Sequence, residues 1–298
     1  MVGDATNAMP DLAPNSFSAV DAGTPEDQRA SVVALDVMAQ LPGIRRLKAW
    51  ALERLDPQPG STAVDVGCGT GEDAQGLAVS VSPEGRAMGV DVSTAMITEA
   101  RRRADAVGNP AQFEVGAADA LPLGDSSVDV LRCERVLQHV SDPEACVAEM
   151  LRVLRPGGRV ALVDTDWRSL TFWPGAPEVA AGIRDAWAGS CVNPAAGSQL
   201  VDLLNRAGFT EVMLTAEVLV MRPAAAGDRP PITLMAANAV RTGLLSQALV
   251  DAWLSQVREA SAAARFVAMV TMAGAYGRRP IAQPASLTRA ETPAPSSR

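Results

Sequence analysis

The chain contains few of the residues that build metal or disulfide sites. Its 298 residues include one histidine and four cysteines, and no two cysteines have the C-x-x-C spacing. Zinc sites need several Cys or His ligands, and a disulfide framework needs a regular set of paired cysteines. The sequence therefore predicts no metal site and cysteines that stay reduced.

Basic charge and long apolar runs are also scarce. The 26 Lys and Arg residues are outnumbered by 34 Asp and Glu, which gives a net charge of -8 at pH 7. Proteins that bind nucleic acid carry a basic surface that neutralises phosphates, so we expect no nucleic-acid partner. No 18 consecutive residues are apolar, and the first residues contain no apolar signal core. We therefore expect a soluble, cytoplasmic protein with no membrane partner.

The most informative segment joins an apolar strand-like run to a glycine-rich turn. The run ends at Val66, and Gly67, Gly69 and Gly71 follow before a helix-like segment. Alternating glycines let the backbone turn tightly and approach a ligand, and the N–H groups of the next helix face that ligand. Residues 69–74 also match G-x-G-x-x-A, so on the glycines alone an NAD or FAD enzyme stays an alternative.

Asp65 weighs against the dinucleotide alternative. A carboxylate two residues before the first glycine would lie beside the ligand, where it disfavours a pyrophosphate and favours a cation. The run from Asp65 to Gly71 resembles the first motif of class I S-adenosylmethionine (SAM) methyltransferases, whose cofactor carries an ammonium and a sulfonium. The resemblance implies that SAM is the cofactor and that Asp65, Gly67, Gly69 and Gly71 bind it.

A second predicted strand ends in Asp91, 20 residues after Gly71. In parallel α/β sheets a carboxylate at this position binds ribose hydroxyls, although Asp91 could instead cap the helix that begins near Ser93. The resemblance groups Val92 and Met96 with the cofactor residues, Met96 by packing on adenine. An isolated methionine more often fills the core.

The third and fourth predicted strands, residues 111–116 and 128–134, complete the cofactor side. The resemblance implies that Asp119 accepts a hydrogen bond from the adenine amine and that Ala118 and Ala120 flank the ring. The alternative for Asp119 is an Asx turn before Pro122. Cys133, near the end of the fourth strand, is also assigned to the cofactor.

The later elements extend the resemblance over residues 60–166. A helix at 143–154, a Pro-Gly-Gly break and a strand at 160–164 are similar to the later motifs of the family, closest to its ubiquinone/menaquinone-type and natural-product branch. The resemblance implies a Rossmann-like α/β fold with helices on both faces of a seven-stranded sheet, in the order 3-2-1-4-5-7-6 with the last strand antiparallel.

The predicted domain organisation is as follows: a disordered N-terminus at 1–15, a helical lid at 16–58, a cofactor domain at 59–279 with acceptor-pocket insertions at 165–196 and 222–264, and a disordered tail at 280–298. The lid contains two predicted helices, at 30–41 and 44–55. The remaining predicted elements are helices at 198–207, 232–242 and 246–264, and strands at 212–220 and 266–275.

Methyl transfer is an in-line displacement that depends mainly on positioning, with a base where the acceptor must lose a proton. His139, the one histidine, is the first candidate for that base, and Asp166 is the second. The alternative for His139 is a helix-end residue bonded to backbone. Arg135 and Arg168 could hold an anionic acceptor.

Three of the five tryptophans lie between residues 167 and 187 of a chain with 4% aromatic residues. Trp167 and Trp173 are assigned to an acceptor-pocket wall together with Trp187, and the alternative is ordinary packing of helices on the sheet.

The sequence therefore predicts a SAM-dependent methyltransferase that acts on a small molecule by O, N or C attack, in bacterial biosynthetic or secondary metabolism. Two alternatives stay open: an enzyme of the same fold that catalyses cyclisation or another non-methylating reaction, and a non-catalytic SAM-binding protein. The expected partner is a small-molecule acceptor, and a homodimer is left open.

Overall fold

A single mixed sheet organises the chain. The computed structural model describes residues 20–221 and 231–281, in which seven strands follow the order 3-2-1-4-5-7-6. Strands β1 to β5 are parallel, and β7 runs antiparallel between β5 and β6. The predicted fold class and strand order are confirmed. The strands are β1 Thr62–Val66, β2 Arg86–Asp91, β3 Gln112–Val115, β4 Val128–Glu134, β5 Leu154–Trp173, β6 Thr210–Met221 and β7 Val267–Arg278.

Nine α-helices are assigned within the described residues. Two of them, α1 and α2, precede the first strand and begin earlier than predicted, because each has proline in its first turn, where the missing N–H costs nothing. The helices are α1 Pro25–Ala39, α2 Pro42–Leu55, α3 Glu72–Val81, α4 Thr94–Val107, α5 Pro143–Val153, α6 Pro177–Ser190, α7 Ala196–Ala207, α8 Pro231–Arg241 and α9 Gln247–Ala262.

Helices cover both faces of the sheet, as predicted. Apolar residues of α2 and α3 pack with one set of strand residues, and those of α5 and α7 pack with the alternate set, which is the period of two expected for strands buried on both faces. A further cluster joins α6, α8 and α9 to the last residues of β5 and the first of β7. The predicted acceptor-pocket insertions thus share a core of their own.

Strand β5 is much longer than the predicted strand at 160–164. It runs from Leu154 to Trp173 and stays paired with β7 as far as Trp173, opposite Val267. The Pro-Gly-Gly segment does not break it, because a register shift against β4 absorbs the extra residues and the Gly157 N–H donates to the carbonyl of Arg279 (2.9 Å). The insertion predicted at 165–196 therefore begins as sheet.

Several predictions fall partly or wholly outside the described residues. These are the disordered segments at 1–15 and 280–298, of which only residues 280 and 281 are described, and the first part of the insertion at 222–264, where residues 222–230 are not described. The division of the chain into lid, cofactor domain and insertions stays a prediction.

Candidate cofactor and acceptor site

The glycine turn lies between β1 and α3 and can be built only from glycine. Gly67, Gly69 and Gly71 all have positive φ, between 51° and 81°, in the left-handed region that side chains disfavour. A Cβ on Gly71 would lie 2.6 Å from the ring of Phe113, and one on Gly67 would lie 2.0 Å from Val136. The turn and the start of α3 thus present backbone to the carboxyl edge of the sheet.

Asp91 ends β2 and holds the glycine turn in place. Its carboxylate accepts from the backbone N–H of Gly69 (2.8 Å) and from that of Ser93 (2.9 Å). Burial raises the pKa of Asp91, although these two N–H donors act to lower it. Each carboxylate oxygen keeps a second lone pair, so two further donors, such as ribose hydroxyls, could bond to it.

A second carboxylate, which the sequence did not indicate, caps the next helix. Asp21 accepts from the Ser93 hydroxyl (2.6 Å) and from the backbone N–H groups of Thr94 (2.7 Å) and Ala95 (3.1 Å) at the start of α4. The hydrogen bond from Ser93 lowers the pKa of Asp21. Ser93 itself accepts from the Met96 N–H, so it is the N-cap of α4.

The predicted adenine end has exposed apolar side chains beside it. Val92 and Val115 are 61% and 45% exposed where β2 and β3 end, and Asp119 lies on an exposed turn. Ala118 and Ala120 belong to the same turn, closed by a bridge between residues 117 and 120. Met96 is only 3% exposed, so protein atoms already cover it, as in ordinary core packing.

Helix α1 lies against the glycine turn. Leu35 Cδ1 is 3.2 Å from the position of a Cβ on Gly69. Asp36 receives two hydrogen bonds from Arg103 of α4, at 2.7 and 2.9 Å. The segment predicted as a lid therefore has a contact with the loop and a bidentate ion pair to the neighbouring helix.

Buried ion pairs occupy the same edge of the sheet, and the sequence analysis missed them. Asp65 is 3% exposed and faces Arg132 of β4, at 3.5 Å between Oδ1 and Nε. Arg132 also contacts Asp73 of α3 (2.5 Å) and Glu134 of β4 (2.6 Å). Lys48 of α2 reaches Asp73 at 2.8 Å. Asp65 thus lies beside a protein cation. Its place beside the ligand stays a prediction.

Arg135 follows β4 and has positive φ (56°), which is unusual for a side chain of this size. Its Nε donates to Glu134 (3.1 Å), and its Nη1 lies 3.3 Å from the sulfur of Met38 on α1. Cys133, just before it, is buried, and burial raises the pKa of its thiol. Arg135 therefore links the end of β4 to the segment above the glycine turn.

His139 lies in a short 3-10 turn, residues 137–139, after β4. Burial, and to a lesser degree the charge of Arg135, lowers the pKa of His139 to about 4. Asp164 of β5 is buried behind this turn and accepts from the backbone N–H groups of Gln138 (3.2 Å) and Thr165 (2.8 Å). Burial raises the pKa of Asp164 to about 7. The neutral imidazole is therefore the dominant form at pH 7.

Asp166, the second candidate base, is engaged with the start of α7. Its carboxylate accepts from the Ser198 hydroxyl and from the backbone N–H of Arg168 (3.0 Å). The Arg168 side chain is exposed. These contacts give Asp166 a structural task that the sequence analysis did not anticipate.

The tryptophans do not form one wall. Trp167 and Trp187 pack edge to face with ring centroids 5.6 Å apart, and the Trp167 indole N–H donates to Gln138 (2.7 Å). Trp173 is 67% exposed at the end of β5, apart from this pair. The structure thus brings Trp167 and Trp187 together, next to the turn that carries His139.

Two absences hold for the described part of the chain. Within residues 20–221 and 231–281, no group of three or more His, Cys, Asp or Glu side chains is arranged to hold a metal ion. None of the helices described there has both the length and the apolar character needed to cross a membrane.

Comparison with known proteins identifies the family. A model described as a methyltransferase domain matches residues 64–162. A Streptomyces fradiae protein, described as an uncharacterized 37.1 kDa protein in transposon TN4556, is 39% identical over 241 residues, which are 80% of this chain and 68% of that protein. Demethylmenaquinone methyltransferase of Bacillus cytotoxicus is 35% identical over 134 residues, or 44% of this chain. The chain belongs to the class I SAM-dependent methyltransferases.

The coverage limits what these relatives imply. The chain matches 56% of the length of the Bacillus cytotoxicus methyltransferase. Among solved structures, the cyclase SpnF is 23% identical with a TM-score of 0.50, covering 80% of this chain and 82% of that one. This likeness shows the shared fold.

SAM is the cofactor of this family, and the described residues suit it. The glycine turn presents backbone at the carboxyl edge of the sheet, and Val92 offers an exposed apolar surface to a flat ring. Buried carboxylates, Asp65 and Glu134, lie at the edge where a cationic methionine half would be placed. Donors, apolar surface and charge thus fit the three parts of the cofactor.

Proposed function

We propose that this methyltransferase transfers the methyl group of SAM to a small-molecule acceptor in bacterial biosynthetic metabolism. The observation that carries the proposal is the bond between the Gly69 N–H and the Asp91 carboxylate, because it joins the glycine turn to the acid expected on ribose. Bound SAM supplies an electrophilic methyl group on a sulfonium. The chain's own task is to hold cofactor and acceptor in line and to exclude water.

The proposed cofactor residues are those at the ends of the first four strands. Asp91 would bind ribose, and Asp119 the adenine amine. The glycine turn, the buried acid and the apolar contacts complete the set: Asp65, Gly67, Gly69, Gly71, Val92, Met96, Ala118, Ala120 and Cys133.

A reduced naphthoquinone is the acceptor class to test first. The relative named demethylmenaquinone methyltransferase is 35% identical over 134 residues, 44% of this chain. In addition, Trp167 and Trp187 present an aromatic pair next to the turn that holds His139. Such a pair would pack well on a flat ring acceptor. Arg135, Arg168 and Trp173 stay proposals for acceptor contacts.

The pKa of His139 bears on whether it can remove a proton from the acceptor. Burial lowers the pKa of His139 to about 4, so its imidazole is a weak base toward a phenol, whose pKa is about 10. Asp166 is occupied by Ser198 and Arg168. We therefore propose that His139 orients the acceptor by a hydrogen bond, and that carbon, nitrogen or already ionised oxygen nucleophiles are favoured over neutral phenols.

A second candidate is a non-methylating reaction on the same fold. The likeness to SpnF, which is described as a cyclase, supports testing it. The two functions differ in the fate of the cofactor, since only methyl transfer consumes SAM.

The test is to incubate the purified chain with SAM and reduced 1,4-naphthoquinones that lack the ring methyl group, alongside phenol and amine acceptors. Release of S-adenosylhomocysteine (SAH) together with a methylated product is the expected result. Tight SAM binding without SAH release across the acceptor panel would favour the second candidate. Failure to bind SAM would contradict both.

A further inference from the structure

A line of alternating charges runs beneath the glycine turn, with Arg132 at its centre. The Arg132 side chain is 8% exposed and points three nitrogens at three carboxylates. Nη1 lies 2.5 Å from Asp73, Nη2 lies 2.6 Å from Glu134, and Nε lies 3.5 Å from Asp65. The last contact is long for a hydrogen bond, so Asp65 interacts with Arg132 mainly through charge.

These carboxylates belong to the segments that hold the glycine turn. Asp65 is two residues before Gly67, and Asp73 is two residues after Gly71. Glu134 ends β4, the strand next to β1. One guanidinium therefore contacts both ends of the turn and the adjacent strand end. A rigid planar fork suits this task, because its donors have fixed directions.

The charges continue into the segment before β1. Lys48 of α2 contacts Asp73 at 2.8 Å and Glu72 at 3.1 Å. It is the one lysine among 26 basic residues. Burial lowers the pKa of Lys48, but Asp73 and Glu134 outweigh burial and raise it. On the other side, Arg135 donates to Glu134 and thereby joins the line.

A cluster of charges at a buried strand position carries a large desolvation cost. The neighbours of Arg132 on β4, Leu131 and Cys133, are apolar or nearly so and fully packed. Well-packed apolar residues are often as stabilising as a buried ion pair, so stability alone is a weak reason for a charge at this position. Two of its three carboxylate partners, Asp65 and Asp73, flank the glycine turn.

We propose that Arg132 is a positioning residue for the cofactor. It fixes the two ends of the glycine turn relative to β4, and it favours the charged form of the Asp65 carboxylate next to the position of the cationic methionine half. Lys48 supports it by holding Asp73 from α2. This inference rests on the proposed binding of SAM at the glycine turn.

A pH dependence follows from the geometry. The charged groups that face Asp65 are Arg132 and Glu134 of β4, Asp73 of α3 and Lys48 of α2. Burial raises the pKa of Asp65 to about 7, and Arg132 is the strongest influence in the opposite direction. A cation binds better when Asp65 is ionised, so SAM affinity should rise as the pH increases through about 7. Without Arg132 that rise should move to higher pH.

The experiment measures SAM affinity by calorimetry at pH 6 to 9 in the parent and in Arg132→Gln, Arg132→Lys and Lys48→Gln. In Arg132→Gln we expect about tenfold or more weaker binding at pH 7 and a rise displaced to higher pH. Arg132→Lys restores the charge without the fork. This variant should therefore keep the parental midpoint of the pH dependence but bind SAM several-fold more weakly. Lys48→Gln should lose less.

The matched control is Arg46→Gln, which removes an exposed ion pair between the same helix α2 and Glu217 (2.7 Å) and should leave binding unchanged. Thermal melting establishes that each variant is folded. A folded Arg132→Gln protein with parental affinity and pH profile would overturn the proposal. If that variant does not fold, parental affinity in Arg132→Lys overturns it instead. A parent that does not bind SAM refutes the proposed function rather than this role.

Discussion

Removal of the Asp91 carboxylate is the most direct test of the cofactor site. If both ribose hydroxyls donate to this carboxylate, Asp91→Ala removes two charge-assisted hydrogen bonds. Their loss should cost roughly 2 to 4 kcal/mol, or about 30- to 1000-fold in the dissociation constant for SAM. SAH carries the same ribose and should weaken by the same factor. Calorimetry with both ligands measures the effect.

The structure adds a second consequence of this substitution. The Asp91 carboxylate is the acceptor for the backbone N–H groups of Gly69 and Ser93, so alanine leaves two donors without it. Each unsatisfied donor costs about 1 to 3 kcal/mol if it stays dry, but removing a buried charge offsets part of this cost. A lower melting temperature is therefore expected, and affinity must be measured well below it.

A matched control separates loss of ligand contacts from loss of a helix cap. Asp142 accepts from the Ala145 N–H at the start of α5, on an exposed surface. Asp142→Ala should lower stability by about 1 kcal/mol and leave SAM binding intact. If folded Asp91→Ala binds SAM within about threefold of the parent, a difference of less than 1 kcal/mol, the ribose assignment is wrong.

Three further predictions concern other parts of the site. Asp119→Ala should weaken SAM and SAH equally and raise the KM for SAM with little change in kcat, whereas a fall in kcat alone would place Asp119 at the acceptor. Asp21→Ala removes the acceptor at the start of α4, which should destabilise the protein by about 1 kcal/mol. Calorimetry should show this as a lower melting temperature. For His139 the folded pKa of about 4 lies below the unfolded value, so the free energy of unfolding should fall as pH drops from 6.5 toward 4, by at most about 3 kcal/mol. Denaturant titrations should show that His139→Gln lacks this component; an unchanged acid slope would show that the imidazole is not buried.

The cofactor half of the fold could be predicted because its signals are local. Each strand of this half ends at or just before a polar or glycine residue, and the positions of Gly67, Gly71 and Asp91 follow directly from those ends. The N-cap at Ser93 was likewise readable from residue type alone. The structure confirms the strand order that the family resemblance implied.

Strand β5 and the ion cluster depend on partners that are distant in sequence. Pro156 and Gly157 indicate a break, and Gly157 has positive φ (82°). Hydrogen bonds between this segment and Arg279, and pairing with β7 from Arg159 onward, nevertheless continue the strand. Arg132 is the one basic residue of β4, and nothing nearby in sequence shows that Lys48, 84 residues earlier, joins its cluster through Asp73. The sequence offers two signals of this cluster: Lys48 is the one lysine, and Arg132 interrupts the apolar residues of β4.

The start of α4 shows how a residue before α1 supports Asp91, the proposed ribose acid. A helix N-terminus attracts anions, and two carboxylates, Asp21 and Asp91, lie close to this one. Asp21 takes the N–H groups of Thr94 and Ala95, whereas Asp91 keeps only that of Ser93 and turns its other oxygen to Gly69. Because Asp21 accepts from these N–H groups of α4, Asp91 can accept from the Gly69 N–H and still has unused lone pairs. A residue before α1 thus supports the arrangement of the proposed ribose acid, although it belongs to no recognisable motif.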